Sequence, residues 1–241
     1  MRLFSRFKNI FKKNIILNSD VSSNLIFVYK LKNGQIRLNS KVVVPSGFDF
    51  VIAKSGKVFD ILKSGEHELS LSTLPKCVKK FKLDRAGSDG KLPKTFEANA
   101  YFVNLKLFEY NKWISYRKIN LSDKCLGNYS IWLEGGFAFR VVDSFRFVNS
   151  LLKIYDYLKN KEAEIILENF LSEFVVDEIE KNNFKLEQIA NLNDLTDLVY
   201  EKLCDRMYAF GIEIQGFIIE KIKLPKKAKT YLKDLNDKFW N

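Results

Sequence analysis

His67 is the only histidine in the 241-residue sequence. Any Ser-His-Asp or Cys-His relay would have to be built on it. It stands between Glu66 and Glu68, just past the turn signal Ser64-Gly65, a setting that predicts a surface histidine and not a catalytic base. The cysteines Cys77, Cys125 and Cys204 are far apart and form no C-x-x-C pair. That spacing suggests neither a zinc site nor a disulfide framework and predicts buried, reduced thiols. Neither H-E-x-x-H nor D-x-D-x-D-G occurs. Gly87-Ser88-Asp89-Gly90 is too short for a phosphate loop, and neither G-x-G-x-x-G nor G-x-x-x-x-G-K-[ST] is present. Glu162 and Glu164 fall on the polar face of a predicted helix, where solvation accounts for them. No catalytic residue, metal ligand or cofactor-binding residue is therefore assigned, and the chain is expected not to be an enzyme.

The remaining chemistry is adhesive. The chain opens MRLFSRFKNIFKKN, with five basic residues and no acid. On a helix at about 100° per residue, Leu3, Phe4, Phe7, Ile10 and Phe11 share one face. Arg2, Arg6, Lys8, Lys12 and Lys13 take the flanks and back. A bulky apolar face with a cationic rim is the pattern of a helix lying in a membrane interface, so these ten residues are the expected membrane-binding set. Each cation adds about 1 kcal/mol near an anionic leaflet, and the five apolar side chains add roughly 5 kcal/mol when partly buried. Ordering the helix costs several kcal/mol, so one copy is expected to bind weakly and an oligomer firmly. The alternatives are packing of Phe4, Phe7 and Phe11 on the protein's own sheet or on a neighbouring subunit, and an idle tail. Charge breaks the segment too often for a secretory signal, and Arg2 replaces the glycine that N-myristoylation requires.

The elements behind these residues are legible from pattern. The longest apolar run, Leu25–Tyr29, is far short of the about 20 residues that a spanning helix needs. From 24 to 144 the sequence reads as short strands: NLIFVYKL, IRLNSKVVV, a hairpin of FDFVIAK and KVFDILK around Ser55-Gly56, then EANAYFVNLKLFEY and YSIWLEGGFAFRVVD. The polar stretch 84–94 reads as an exposed loop, and Gly135-Gly136 as a bulge or bend. After Asp143 the apolar period lengthens to that of a helix. One helix starts at Asp143 or Ser144, a second carries Ala163, Ile166, Leu167, Phe170, Leu171 and Phe174, and a third runs from about 194 to 210 with Gly211 at its end. IEIQGFIIEKIKL then alternates as a strand, and Pro225 opens a short basic helix. The fold class is α+β: mostly antiparallel strands in the N-terminal half, then helices and a returning strand. The divisions are an amphipathic helix at 1–14, a β-rich part at 24–144, an α/β part of the same domain at 145–225, and a C-terminal helix at 226–241.

The formal net charge is +11, which favours anionic partners. Charge is also segregated. Residues 161–201 hold 3 basic and 11 acidic groups (−8), 76–94 hold 7 and 2 (+5), and 221–241 hold 7 and 2 (+5). Solvated faces account for such runs, and they would also let copies meet head to tail.

The stretch CDRMYAFGIEIQGFIIEKIKLP resembles the closing motif of the SPFH (band 7) domain, the family of stomatins, prohibitins and flotillins. A helix ends at Gly211, the G-[IL]-x-[IL] strand is Gly211-Ile212-Glu213-Ile214, and I-x-[IL]-P is Ile222-Lys223-Leu224-Pro225. FAFRVVDSFRFV resembles the family's R-V-x-D strand and following helix. VVVPSGFDFVIAKSGKVFDILKSGEHEL resembles its opening hairpins, and AYFVNLKLFEYNKW a segment of the soluble bacterial, virion-core-protein-like branch. The intramembrane hairpin, long coiled coil and zinc ribbon that various members carry have no counterpart here. The resemblance implies a non-enzymatic, membrane-associated scaffold that self-associates or joins related SPFH proteins. It further implies recruitment of membrane partner proteins, at the cytoplasmic face of a bacterial inner membrane. With the cationic start, the expected surface is anionic lipid. The alternative from composition is a basic nucleic-acid-binding protein, although no nucleic-acid motif is visible.

Overall fold

The computed structural model describes residues 14–16, 28–30, 34–150, 160–182 and 184–239. They form two compact units, one from the described residues within 1–106 and 141–163, the other from those within 107–140 and 164–241.

The first unit holds β1 (Asn14–Ile16), β2 (Val28–Lys30), β3 (Gln35–Arg37), β4 (Lys41–Val44), β5 (Phe48–Lys54), β6 (Lys57–Leu62), β7 (Gly65–Glu68), α1 (Pro75–Phe81), β8 (Thr95–Glu97), β9 (Asn99–Asn104) and α2 (Ser144–Ser150). Its main sheet has the order β2-β9-β5-β6, and β1-β4-β7 and β3-β8 form two smaller sheets. Every pairing is antiparallel except β1 with β4. FDFVIAK is a central strand with almost every residue buried, which explains why it reads as a continuous apolar run. The expected hairpin is present: Ser55 and Gly56 both adopt positive φ (50° and 69°), the turn geometry that matches strand twist. The core joins Phe50, Phe102, Leu69, Leu74, Leu83 and Phe96.

Buried carboxylates fix the two helices of this unit. Asp60 on β6 accepts the Cys77 and Lys76 backbone N–H groups at 2.7 and 3.2 Å, satisfying the free N–H groups at the start of α1. Buried Asp49 accepts from Ser144 Oγ at 2.5 Å and from Lys63 Nζ at 2.8 Å. Asp143 Oδ1 accepts from the Phe145 and Arg146 N–H groups, so of the two candidates Asp143 is the cap of α2.

The second unit holds β10 (Phe108–Ile114), β11 (Ile119–Asp123), β12 (Gly127–Val141), α3 (Asn160–Asn182), α4 (Leu186–Ala190), α5 (Leu192–Ala209), β13 (Ile212–Lys223) and α6 (Lys226–Phe239). The long strand β12 organises it. Its first half pairs antiparallel with β11 (Gly127↔Asp123 to Ile131↔Ile119) and its second half with β10 (Glu134↔Ile114 to Phe139↔Phe108). The returning strand β13 also pairs with β12, and α5 packs on β13. Gly211, at φ 78°, makes the turn between α5 and β13, as its place after the helix predicts. The architecture is the expected α+β.

Several local readings are corrected. IRLNSKVVV is two strands, because Asn39 turns the chain at φ 60°. EANAYFVNLKLFEY is divided among β8, β9 and β10, with the Asn104 side chain accepting the Lys106 N–H where β9 ends. The Gly135-Gly136 pair makes no bulge. Both residues stay in regular register with Trp113 and Lys112, and the irregularity lies in β10 between Phe108 and Asn111. The glycines are there for clearance: Ile218 backbone and the Tyr110 ring occupy the space a Cβ would need. Helices α1 and α4 and strands β1 and β11, of 7, 5, 3 and 5 residues, are too short to show a local pattern, and Asn14, expected to end the amphipathic helix, opens β1 instead.

Candidate functional site

The membrane-binding set Arg2, Leu3, Phe4, Arg6, Phe7, Lys8, Ile10, Phe11, Lys12 and Lys13 lies outside the described residues. What is described is its point of attachment: Asn14 opens β1, which pairs in parallel with β4 from Asn14↔Lys41 to Ile16↔Val43.

Of the three thiols expected to be buried only Cys77 is; Cys204 is half-buried, and Cys125 is exposed in the turn between β11 and β12. His67 pairs with Val42 across β7 and β4 and donates from Nε2 to the Lys63 carbonyl at 2.7 Å. No nucleophile is bonded to it among the described residues. Cys77 is buried at the start of α1, and burial, then the Asp60 carboxylate, pushes its thiol well above the ordinary cysteine range. A thiol held protonated is a poor nucleophile. Burial also raises Cys204. No group of three or more His, Cys, Asp or Glu residues that could hold a metal occurs among the described residues.

The motif residues likewise serve the fold. Arg140 reaches across the sheet to Glu213 at 2.5 Å, Asp143 caps α2, and Ile212 and Ile214 are buried under α5. Leu69 is fully buried in the first unit.

Two surfaces stand out for what they could bind. The first unit carries a cleft of about 630 Å³ formed by the β3–β4 turn, Leu71, Leu83 and the loop before β8. Its apolar lining is Leu38, Leu71, Leu83, Leu92 and Pro93, and its cations are Arg37, Lys91 and Lys94. Leu71 is 39% exposed and Leu92 51%. The second unit carries an acidic stripe. Asp194, Asp197, Leu198, Glu201, Asp205 and Tyr208 are all exposed on α5, within about 100° of arc at 3.6 residues per turn. Leu195, Val199, Leu203 and Met207 fill the opposite, buried face. Sequence reading found the charge of both regions without the surfaces. Spacing at i, i+3, i+7 and i+11 could have shown the stripe. The meeting of Arg37 and Leu38 with 91–94 is tertiary and has no local signature.

Residues 26–237 match the model of the SPFH domain-Band 7 family. The chain belongs to that family. A Bacillus subtilis (strain 168) protein named YdjI, described only as uncharacterized, is 24% identical over 225 residues, covering 91% of this chain and 67% of that protein. SPFH proteins are in general membrane-associated, oligomeric scaffolds and not enzymes. Among the described residues no helix is long and apolar enough to cross a membrane.

Within this SPFH domain the second unit concentrates its ion pairs. Arg117 meets Glu180 on α3 through two N–H groups, at 2.5 and 2.7 Å, and Glu180 also accepts the Asn120 N–H at 2.8 Å. The Arg117 hydrogen bonds hold the Glu180 carboxyl below its ordinary 4.5. Hydrogen bonds from Arg140 and Lys221 do the same for Glu213 and Glu134. A carboxylate depressed in the folded state contributes stability above its unfolded pKa, and that stability is lost as pH falls through the folded value. Unfolding free energy should therefore decline below about pH 4.5, and the decline should be shallower in Glu180→Gln. Urea titrations at pH 7, 5, 4 and 3 measure this; parallel pH curves for the two proteins would refute it.

Proposed function

We propose that this SPFH protein is a non-enzymatic scaffold that self-associates, alone or with related SPFH proteins, and recruits partner proteins at the cytoplasmic face of a membrane. Residues 2–13 attach it peripherally to anionic lipid. The observation that carries the reading is the family match over residues 26–237. The net charge of +11 and the cationic amphipathic start support the choice of an anionic surface. The start of β1 at Asn14 supports the attachment, because residues 2–13 run straight into a strand of the first unit. A foot placed there would hold that unit against lipid without a linker.

Co-sedimentation with anionic and neutral vesicles tests this, comparing the full chain with Phe4→Ser/Phe7→Ser/Phe11→Ser, which leaves β1 intact. Each partly buried ring contributes about 1 kcal/mol, so the triple variant should bind anionic vesicles roughly a hundredfold more weakly. Equal binding would remove residues 2–13 as the foot. A protein that stays monomeric in solution and on vesicles would remove the scaffold. Retention on DNA or RNA that weakens steeply with salt, without vesicle binding, would replace this reading with nucleic-acid binding.

A further inference from the structure

The geometry points to a specific head-to-tail contact between copies of this chain: the acidic stripe of α5 on one copy seats in the cation-rimmed leucine cleft of the next. The inference rests on the scaffold reading and names the surfaces that would join its subunits.

Three observations carry it. First, the charges are complementary and unspent. Arg37, Lys91 and Lys94 around the cleft form no ion pair among the described residues, and neither do Asp197, Glu201 and Asp205 on the stripe. Lys91 and Lys94 are two of the 7 basic residues of the stretch 76–94, which with 2 acidic ones stands at +5. Cations beyond the rim would reinforce the same attraction.

Second, the apolar parts match. Leu198 stands among the stripe's carboxylates at 45% exposure, with Tyr208 at 57% at its C-terminal end. An apolar side chain with acids three and four residues away is what a leucine-lined cleft with a cationic rim can accept: the side chain enters the cleft and the carboxylates meet the rim. Buried apolar anchors surrounded by paired charges are how protein interfaces combine affinity with register.

Third, the presentation is rigid. The buried face of α5 is clamped by Thr196 Oγ1 accepting the Ile219 N–H and by Tyr200 Oη donating to the Ile214 carbonyl, at 3.1 and 3.4 Å. The cleft wall is held by Leu38 N–H to the Lys94 carbonyl at 2.9 Å and Asn39 N–H to the Leu69 carbonyl at 2.9 Å. Little ordering cost is left to meet on association. The two surfaces differ, so the contact is heterologous and every copy offers one of each.

Sedimentation velocity on the full chain tests this with Lys91→Glu/Lys94→Glu, Asp197→Lys/Glu201→Lys, their mixture, and the fourfold charge swap. All four positions are exposed, and thermal unfolding checks that each variant is folded. Each double variant alone should associate at least about a hundredfold more weakly than wild type, because like charges then face each other. The mixture and the fourfold swap should both recover association, since each restores an opposite-sign pair. Wild-type association should also weaken with salt and vanish near 1 M, where the screening length is about 3 Å. Double variants that associate like wild type, or a fourfold swap that stays dissociated while folded, would overturn the contact and leave the scaffold standing. A wild-type chain that never associates, in solution or on anionic vesicles, would overturn both.

Discussion

Replacing Gly135 by alanine should cost the second unit more stability than any other single-methyl addition to β12. A Cβ at this position would stand 2.0 Å from the Ile218 carbonyl oxygen, 3.0 Å from its carbon and 3.1 Å from the Ile219 Cα. All three are backbone atoms of β13, so no rotamer change can relieve the collision. The strand itself must move, and with it α5, which rests on β13. Overpacking a core costs about 1–3 kcal/mol where side chains can adjust; a backbone collision without that escape should reach at least the top of this range. Gly136→Ala is the control. Its Cβ would meet the Tyr110 ring at 2.2 Å, but that ring is an exposed side chain that can swing into solvent, giving up its hydrogen bond to Glu220. Its loss should stay near 1 kcal/mol, the usual size of one hydrogen bond. Equilibrium urea unfolding followed by tryptophan fluorescence compares the two. A Gly135→Ala variant as stable as wild type would show that β13 does not approach β12 at this point.

The same glycine pair shows where sequence reading stops. Two adjacent glycines in an alternating strand signal that the backbone there is special, and that much was legible. Whether they serve a bulge or a close approach depends on what lies opposite, and Ile218 is more than eighty residues away. Features set by local chemistry were readable: the Ser55-Gly56 hairpin, the Asp143 cap, Gly211 between α5 and β13, and the period-3.6 stripe of α5. The stripe of α3 was readable only in part, its buried face running through Leu167 and Leu171 on to Val175, Val176 and Ile179. The β-rich half was read in pieces that were too long. Apolar alternation continues across Asn39 and through Leu105-Lys106-Leu107, where the chain leaves the pairing without interrupting the pattern. Helix α1 was hidden for a different reason. It is short and basic, and it is held at its start by Asp60 from another strand, a partner that no local pattern reveals. The candidate site divides in the same way. Acidic spacing along α5 is a property of one helix and lies open in the sequence. The cleft needs the β3–β4 turn to meet the loop at 91–94, and only the fold brings them together.

Trp113→Ala should destabilise the second unit by about 3–5 kcal/mol, the range for removing a large buried aromatic. Trp113 is 2% exposed and stacks on Phe217 of β13, with ring centroids 5.3 Å apart and planes at 17°. It pairs in register with Gly135, so the residue opposite has no side chain to collapse into the cavity. Trp113→Phe should be far milder. The indole Nε1–H is buried with no hydrogen-bond partner among the described residues. Removing it relieves an unpaired donor whose burial costs about 1–3 kcal/mol, while a six-membered ring still stacks on Phe217. Both substitutions remove the unpaired donor, but alanine also empties the volume of the whole ring and abolishes the stack, a loss far larger than that relief. Since β13 carries the stacked Phe217 on one side of this arrangement and supports α5, the alanine variant should also lose self-association at temperatures where the phenylalanine variant keeps it. Urea unfolding and sedimentation of both variants measure the two effects. Equal destabilisation by alanine and phenylalanine would mean that the Trp113–Phe217 stack contributes nothing, and that β13 is held here by its pairing with β12.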